Sequence, residues 1–155
     1  MKKIELVQLF KVFESVKTFG EIKFKYAILK NLKIINDEIE VLKNIEVSIE
    51  EVMQPVYEQR NEIIKKLGNA NEDGNISIDV NDVEVISEFN KEMQIILDEN
   101  KDTVQKYNEE MVKYNEILNE EIEVLPVFHK IDIDICPNDL DVNVLDLFMK
   151  CGIVD

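Results

Sequence analysis

The chain has 155 residues with four Gly, three Pro and 33% charged side chains, a composition suited to one helix-rich domain with a real core. Its net charge is −15, so most of its surface repels nucleic acid. No run of about eighteen apolar residues is present, which excludes a membrane-spanning helix; the start, Met1-Lys-Lys-Ile-Glu-Leu6, is periodic and interrupted by Glu5 and Gln8, unlike a secretory signal.

In chain order, residues 3–18 read as a first helix, because Leu6, Leu9, Phe10, Phe13 and Val16 recur at helical spacing. Gly20 suits the left-handed position that ends it. Two long amphipathic segments follow over 21–118, joined by a connection at 68–82. The first carries Ile28, Leu32, Ile35, Ile39, Leu42, Ile45, Ile49, Val52 and Val56 on one stripe. Pro55 lacks an amide hydrogen, so a kink or break is expected near Glu51–Gln54; Lys43-Asn44 is a weaker second candidate, where the stripe steps irregularly. Gly68 is the expected stop.

Asp73-Gly74 favours a tight turn, and Ile76, Ile78 and Val80 alternate as a short strand. Asn81 or Asp82 is the expected cap of the return helix. That helix carries Ile86, Asn90, Met93, Leu97, Asn100, Val104, Tyr107, Met111, Tyr114 and Leu118 in steps of four and three, a heptad-type seam. Asn90 and Asn100 on the seam are expected to specify register. The two segments together predict an antiparallel coiled-coil hairpin.

After Glu121 the pattern changes. Ile122, Val124, Val127, Ile131, Ile133 and Ile135 read as extended chain broken by Pro126, with strict alternation in Ile131-Asp-Ile-Asp-Ile135. That alternation predicts a strand pairing with 121–128. Cys136-Pro-Asn-Asp139 reads as a turn and cap before a closing helix with Leu140, Val144, Leu145, Phe148 and Met149, ended by Gly152. The 119–155 tail is expected to fold onto residues 1–30 as a small mixed lobe. The fold class is therefore mainly α: a long antiparallel helical hairpin plus a small α+β lobe within a single domain, 1–155.

Charge is unevenly spread. Residues 1–35 carry eight lysines against Glu5, Glu14 and Glu21, a surplus of five positive charges; the rest carry ten Lys or Arg against thirty Asp or Glu, a net of −20. Internal pairing of the basic start with the acidic remainder is the plain expectation. The sharper one is an acidic surface facing a protein partner, with Glu120, Glu121, Glu123, Asp132, Asp134, Asp139 and Asp141 as candidate contacts. These aspartates have no neighbouring histidine, so a metal site is not expected. Residues 69–80 resemble a calcium loop, with Asn69, Asn71, Asp73, Asn75 and Ser77 at ligand spacing, but Val80 stands where a bidentate carboxylate belongs. A weak calcium-binding helical protein is thus an alternative, and a simple turn the better reading. His129 has no nucleophile at suitable spacing and reads as structural. Cys136 and Cys151 have neither metal nor disulfide spacing, so a reduced cytoplasmic setting is expected; because no catalytic, metal or nucleotide constellation stands out in the sequence, no cofactor and no enzyme activity are expected either.

The succession of a long helix ending in Arg60-Asn-Glu-Ile-Ile-Lys-Lys-Leu67, an Asp73-Gly-Asn75 turn, a helix opening with Ser87-Glu-Phe-Asn-Lys-Glu-Met93, and an extended Glu121-Ile-Glu-Val segment resembles small uncharacterised proteins encoded by phages and prophages of low-GC Gram-positive bacteria. The resemblance implies phage origin and host cytoplasm, with no catalytic residues to transfer. Together these readings predict a non-enzymatic inhibitor that occludes a host defence or basic nucleic-acid-binding protein. The alternative is a structural, assembly or chaperone-like oligomer.

Overall fold

A computed structural model describes residues 1–70 and 73–154. The protein is mainly α, in the order α1 (Lys3–Val16), α2 (Ile22–Val52), α3 (Gln54–Leu67), β1 (Asn69–Ala70), β2 (Ile76–Ser77), α4 (Val83–Glu99), α5 (Lys101–Asn119) and α6 (Val142–Lys150). It divides into two compact units, Met1–Asn44 with Asn115–Asp155, and Ile45–Tyr114.

In the first unit, α1 buries Leu6, Leu9, Phe13 and Val16, one face of a helix with period 3.6. Glu5 accepts a hydrogen bond from the Lys2 backbone N–H at 2.6 Å, satisfying one donor that the helix start leaves open. Gly20, at φ +66°, turns the chain into α2, and a Cβ there would meet Pro137 Cγ at 2.5 Å. From α2 come Phe24, Ala27, Ile28, Ile35 and Ile39; from the tail come Ile131, Phe148, Ile153 and Val154. Phe13 is the centre: its ring lies 5.3 Å from that of Phe148 and 6.3 Å from that of Phe128.

Main-chain bonds tie the tail to the start of α1 at one place and to itself at another. Ile122 N–H donates to the Met1 carbonyl and Lys3 N–H to the Glu120 carbonyl, each at 3.0 Å. Farther on, Ile131 N–H donates to the Ile153 carbonyl at 2.7 Å, beside an isolated parallel bridge between Ile131 and Val154. The strand expected at 131–135 is not formed. Ile131 is fully buried, but the Asp132 carboxylate accepts from Asp134 N–H at 3.0 Å and Ile133–Ile135 closes as a 3-10 turn. A side chain that bonds its own backbone two residues on competes with the ladder a strand needs. The expected pairing of this stretch with 121–128 is overturned as well, since Glu121 bridges Lys2.

In the second unit, Met53, Val56, Ile63 and Ile96 form a core flanked by Tyr57, Leu67, Phe89, Met93, Leu97, Val104 and Tyr107. Side-chain pairs running along it are Lys66 with Glu92, Gln59 with Asn100, and Glu50 with Tyr107. One number falls as the other rises, so the paired helices run antiparallel here. The break at Met53 has the cause the sequence offered. Pro55 occupies the first turn of α3, where its missing N–H costs nothing, and Met53 and Val56 bond three residues back, to Glu50 and Met53, at 3.0 Å each. Lys43-Asn44 leaves α2 unbroken.

The return segment differs from the expected uninterrupted helix. It breaks at Asn100, whose side-chain amide donates to the Ile96 carbonyl at 2.8 Å and to Gln59 Oε1 at 3.3 Å. Asn100 is therefore on the interface, as its spacing indicates. Asn90 is not: it is exposed, and Phe89 takes the packed position. The expected strand at 76–80 reduces to Ile76–Ser77, paired antiparallel with Asn69–Ala70. Asp82 caps α4 through Glu84 N–H and Val85 N–H, at 3.0 and 3.1 Å.

Gly68 stops α3 for a different reason from the one expected. Its φ is −86°, open to any residue. A Cβ at this position would lie 2.6 Å from the Ile64 carbonyl oxygen and 2.8 Å from that of Ser77. Both atoms are backbone and cannot swing away, so Gly68→Ala is expected to cost about 1–3 kcal/mol. The urea midpoint followed by circular dichroism checks this; an unchanged midpoint would contradict it.

Candidate functional site

The acidic residues singled out from the sequence lie on the first unit, and several are engaged locally. Glu120 pairs with Lys3 at 2.8 Å and holds the Lys3 ammonium above its usual pKa range through that hydrogen bond. Glu121 takes part through its backbone, in the bridge to Lys2. Asp132 caps the 3-10 turn, and Asp141 caps α6 by accepting from Asn143 N–H at 2.8 Å, which lowers the Asp141 pKa. Glu123, Asp134 and Asp139 are exposed. Because no strand forms at 131–135, Asp132 and Asp134 do not share the expected strand face: the Asp132 carboxylate accepts from the Asp134 backbone N–H while both residues stay exposed. Glu123 also borders a cleft of about 650 Å³ between the first two helices and the 122–127 segment, with Leu6, Ile34 and Ile35 on its walls.

The basic start is not neutralised internally as expected. Among the described residues, only Lys3 and Lys17 of the eight lysines in 1–35 reach a carboxylate, and Lys17 reaches its helical neighbour Glu14. Lys30 instead lies over the Tyr26 ring, 5.1 Å from its centroid.

Two polar constellations escaped the sequence reading. The first is Asn31, a fully buried amide on α2. Its Oδ1 accepts from His129 N–H at 2.7 Å and its Nδ2 donates to the His129 carbonyl at 3.0 Å. The amide thus replaces a neighbouring strand for one residue of the tail. A signal existed: Asn31 falls on the same helical stripe as Ala27, Ile28 and Ile35, where a polar residue needs a partner. His129 is structural through its backbone, and its ring meets Tyr26 edge-on at 6.4 Å.

The second is Glu50, which accepts from Tyr57 Oη at 2.8 Å and Tyr107 Oη at 2.9 Å. The carboxylate favours the neutral phenols, raising both; Tyr57 is pushed up to about 12, with burial adding to the hydrogen bond. Because the folded-state pKa is raised, this contribution to stability is complete below the ordinary tyrosine value of about 10 and disappears as pH climbs through about 12. Absorbance of the phenolate is expected to show a late-titrating tyrosine in the native protein. Glu50→Gln should move that titration down towards about 10; an unmoved curve would show that the carboxylate is not its cause.

Burial pushes the Cys136 and Cys151 thiols up, so both stay protonated and poorly nucleophilic at neutral pH. Among the described residues, no group of three His, Cys, Asp or Glu side chains is placed to hold a metal. Asn71, a ligand position in the calcium-loop reading, lies outside the described residues. No helix is long and apolar enough to cross a membrane among those described. No protein-family model, curated protein sequence or solved structure matches the chain.

Proposed function

We propose that the chain is a non-enzymatic protein-binding protein whose acidic helices occupy the nucleic-acid-binding groove of a basic partner. The observation that carries this is the charge of the second unit. Residues 45–114 hold seven Lys or Arg against seventeen Asp or Glu, a net of −10. Exposed acids recur along its helices, for example Glu58 with Glu62 on α3 and Glu84 with Glu88 on α4, each four residues apart. That spacing sets negative charges about 6 Å apart along a helix, the same sign as a phosphate backbone and sparser than its roughly 3.4 Å per strand. Exposed Glu123, Asp134 and Asp139 give the first unit acidic positions of its own. The resemblance to phage and prophage proteins motivates the narrower reading, an inhibitor of a host defence protein acting in the host cytoplasm.

Affinity capture from host lysate at low salt is expected to recover a nucleic-acid-binding protein that is released as salt rises. Adding the chain should displace nucleic acid from that protein, and charge reversal at Glu58, Glu62, Glu84 and Glu88 should abolish the displacement. Recovery of no such protein would overturn the proposal. An assembly or chaperone-like oligomer is the second reading, favoured by exposed Ile95 and Val112 on α4 and α5. Light scattering separates the two, since a high-order oligomer insensitive to salt supports assembly.

A further inference from the structure

We propose that the Lys30–Ile34 stretch of α2 and residues 127–129 form a docking groove for an acidic, apolar-anchored peptide segment of a protein partner. The groove is a cleft of about 450 Å³ lined by Lys30, Lys33, Ile34, Val127, Phe128 and His129. Its floor is apolar, and Val127 is 87% exposed. Beside it on α2, Tyr26 and Leu29 are more than half exposed. Neither Lys30 nor Lys33 has an ion-pair partner among the described residues, so two positive charges flank an open apolar surface. The far wall is held in place: Asn31 clamps both backbone groups of His129, at 2.7 and 3.0 Å, so the groove is formed before anything binds.

Charge complementarity selects the occupant. Lysines flanking an apolar floor fit a segment that alternates carboxylates with apolar side chains. An anionic membrane or a second copy of this chain would also meet the lysines. Either would bring extended negative charge against a molecule whose net charge is −15. A short peptide stays within about 10 Å of the groove, roughly one Debye length, and so feels mainly the local lysines.

The test uses the full chain and fluorescence anisotropy with a fluorescein-labelled peptide alternating Glu and Leu. Lys–Leu and Glu–Ser peptides serve as controls. The Glu–Leu peptide is expected to bind, and to weaken by about tenfold or more when salt rises from about 0.05 M to about 0.5 M. The double variant Lys30→Glu/Lys33→Glu, and separately Ile34→Ser, should each weaken it by a similar factor while circular dichroism stays unchanged. These positions are exposed, so the fold tolerates the changes. Failure of the Glu–Leu peptide to bind, equal binding by either control peptide, or undiminished binding by the double variant would overturn the proposal. So would two results that identify another occupant: co-sedimentation with anionic vesicles, or self-association, lost in the same variant.

Discussion

Replacing Phe13 by Ala is expected to remove about 3–5 kcal/mol of stability, the largest single effect foreseen for this protein. The ring is completely buried on the inner face of α1 and touches aromatic rings from two different parts of the tail, Phe128 and Phe148. Truncation removes its transfer free energy and leaves a cavity that two separately anchored rings cannot both collapse to fill. Phe13→Leu, which keeps most of the volume, should cost clearly less. Phe19→Ala is the exposed control and should change little, because that ring is 44% exposed. Urea unfolding followed by circular dichroism is the suitable measurement, as the chain has no Trp. A loss below about 1 kcal/mol for Phe13→Ala would mean that the Phe13 cluster does not organise this unit.

Asn31→Ala is the second large effect, expected at about 2–4 kcal/mol. The substitution leaves the His129 N–H and carbonyl without their partner beside a helix face that is otherwise apolar. Each orphaned group costs roughly 1–3 kcal/mol when water cannot replace the lost bond. Asn31→Asp separates the two bonds. It keeps the acceptor for His129 N–H, but it sets a carboxylate against the His129 carbonyl and buries a charge, so it should be at least as damaging. Amide exchange at His129 provides a local readout, with protection lost in both variants. Full protection in Asn31→Ala would show that another group satisfies this backbone.

The helical elements were legible wherever the chemistry is local. Leu6, Leu9, Phe13 and Val16 mark the inner face of α1 by spacing alone, and all four are buried. Pro55 breaks the long helix because its ring and missing donor act within one turn, whatever the rest of the chain does. Asp82 as a cap follows from the same short range. Of the acidic candidates, composition identified the carboxylates but not their engagements. That Asp132 and Asp141 serve as caps depends on backbone angles that alternation in the sequence does not reveal.

The errors lie where a residue's role depends on something distant. Alternation at 131–135 is compatible with a strand, yet a strand needs a neighbour along its length, and only Ile131 finds one, in the chain's last residues. Asn90 sits one position off the packed face because the rotational setting of a helix is decided by its partner's side chains, here through Phe89 and Met93. Gly68 is required by the close approach of the Ile64 and Ser77 carbonyl oxygens, the second brought in by the β1–β2 pairing, not by its own torsion angle.

By itself, then, the sequence determined where the main helical stretches lie, that Pro55 and Asp82 begin two of them, and that charge divides into a basic start and an acidic remainder. Those properties act over a few residues or follow from simple counting. The tertiary structure alone decided that Asn31 clamps His129, that Glu50 gathers two tyrosines, and that most of the early lysines lack a carboxylate partner among the described residues. Each depends on the placement of groups far apart in sequence, and burial then gives that placement its energetic weight.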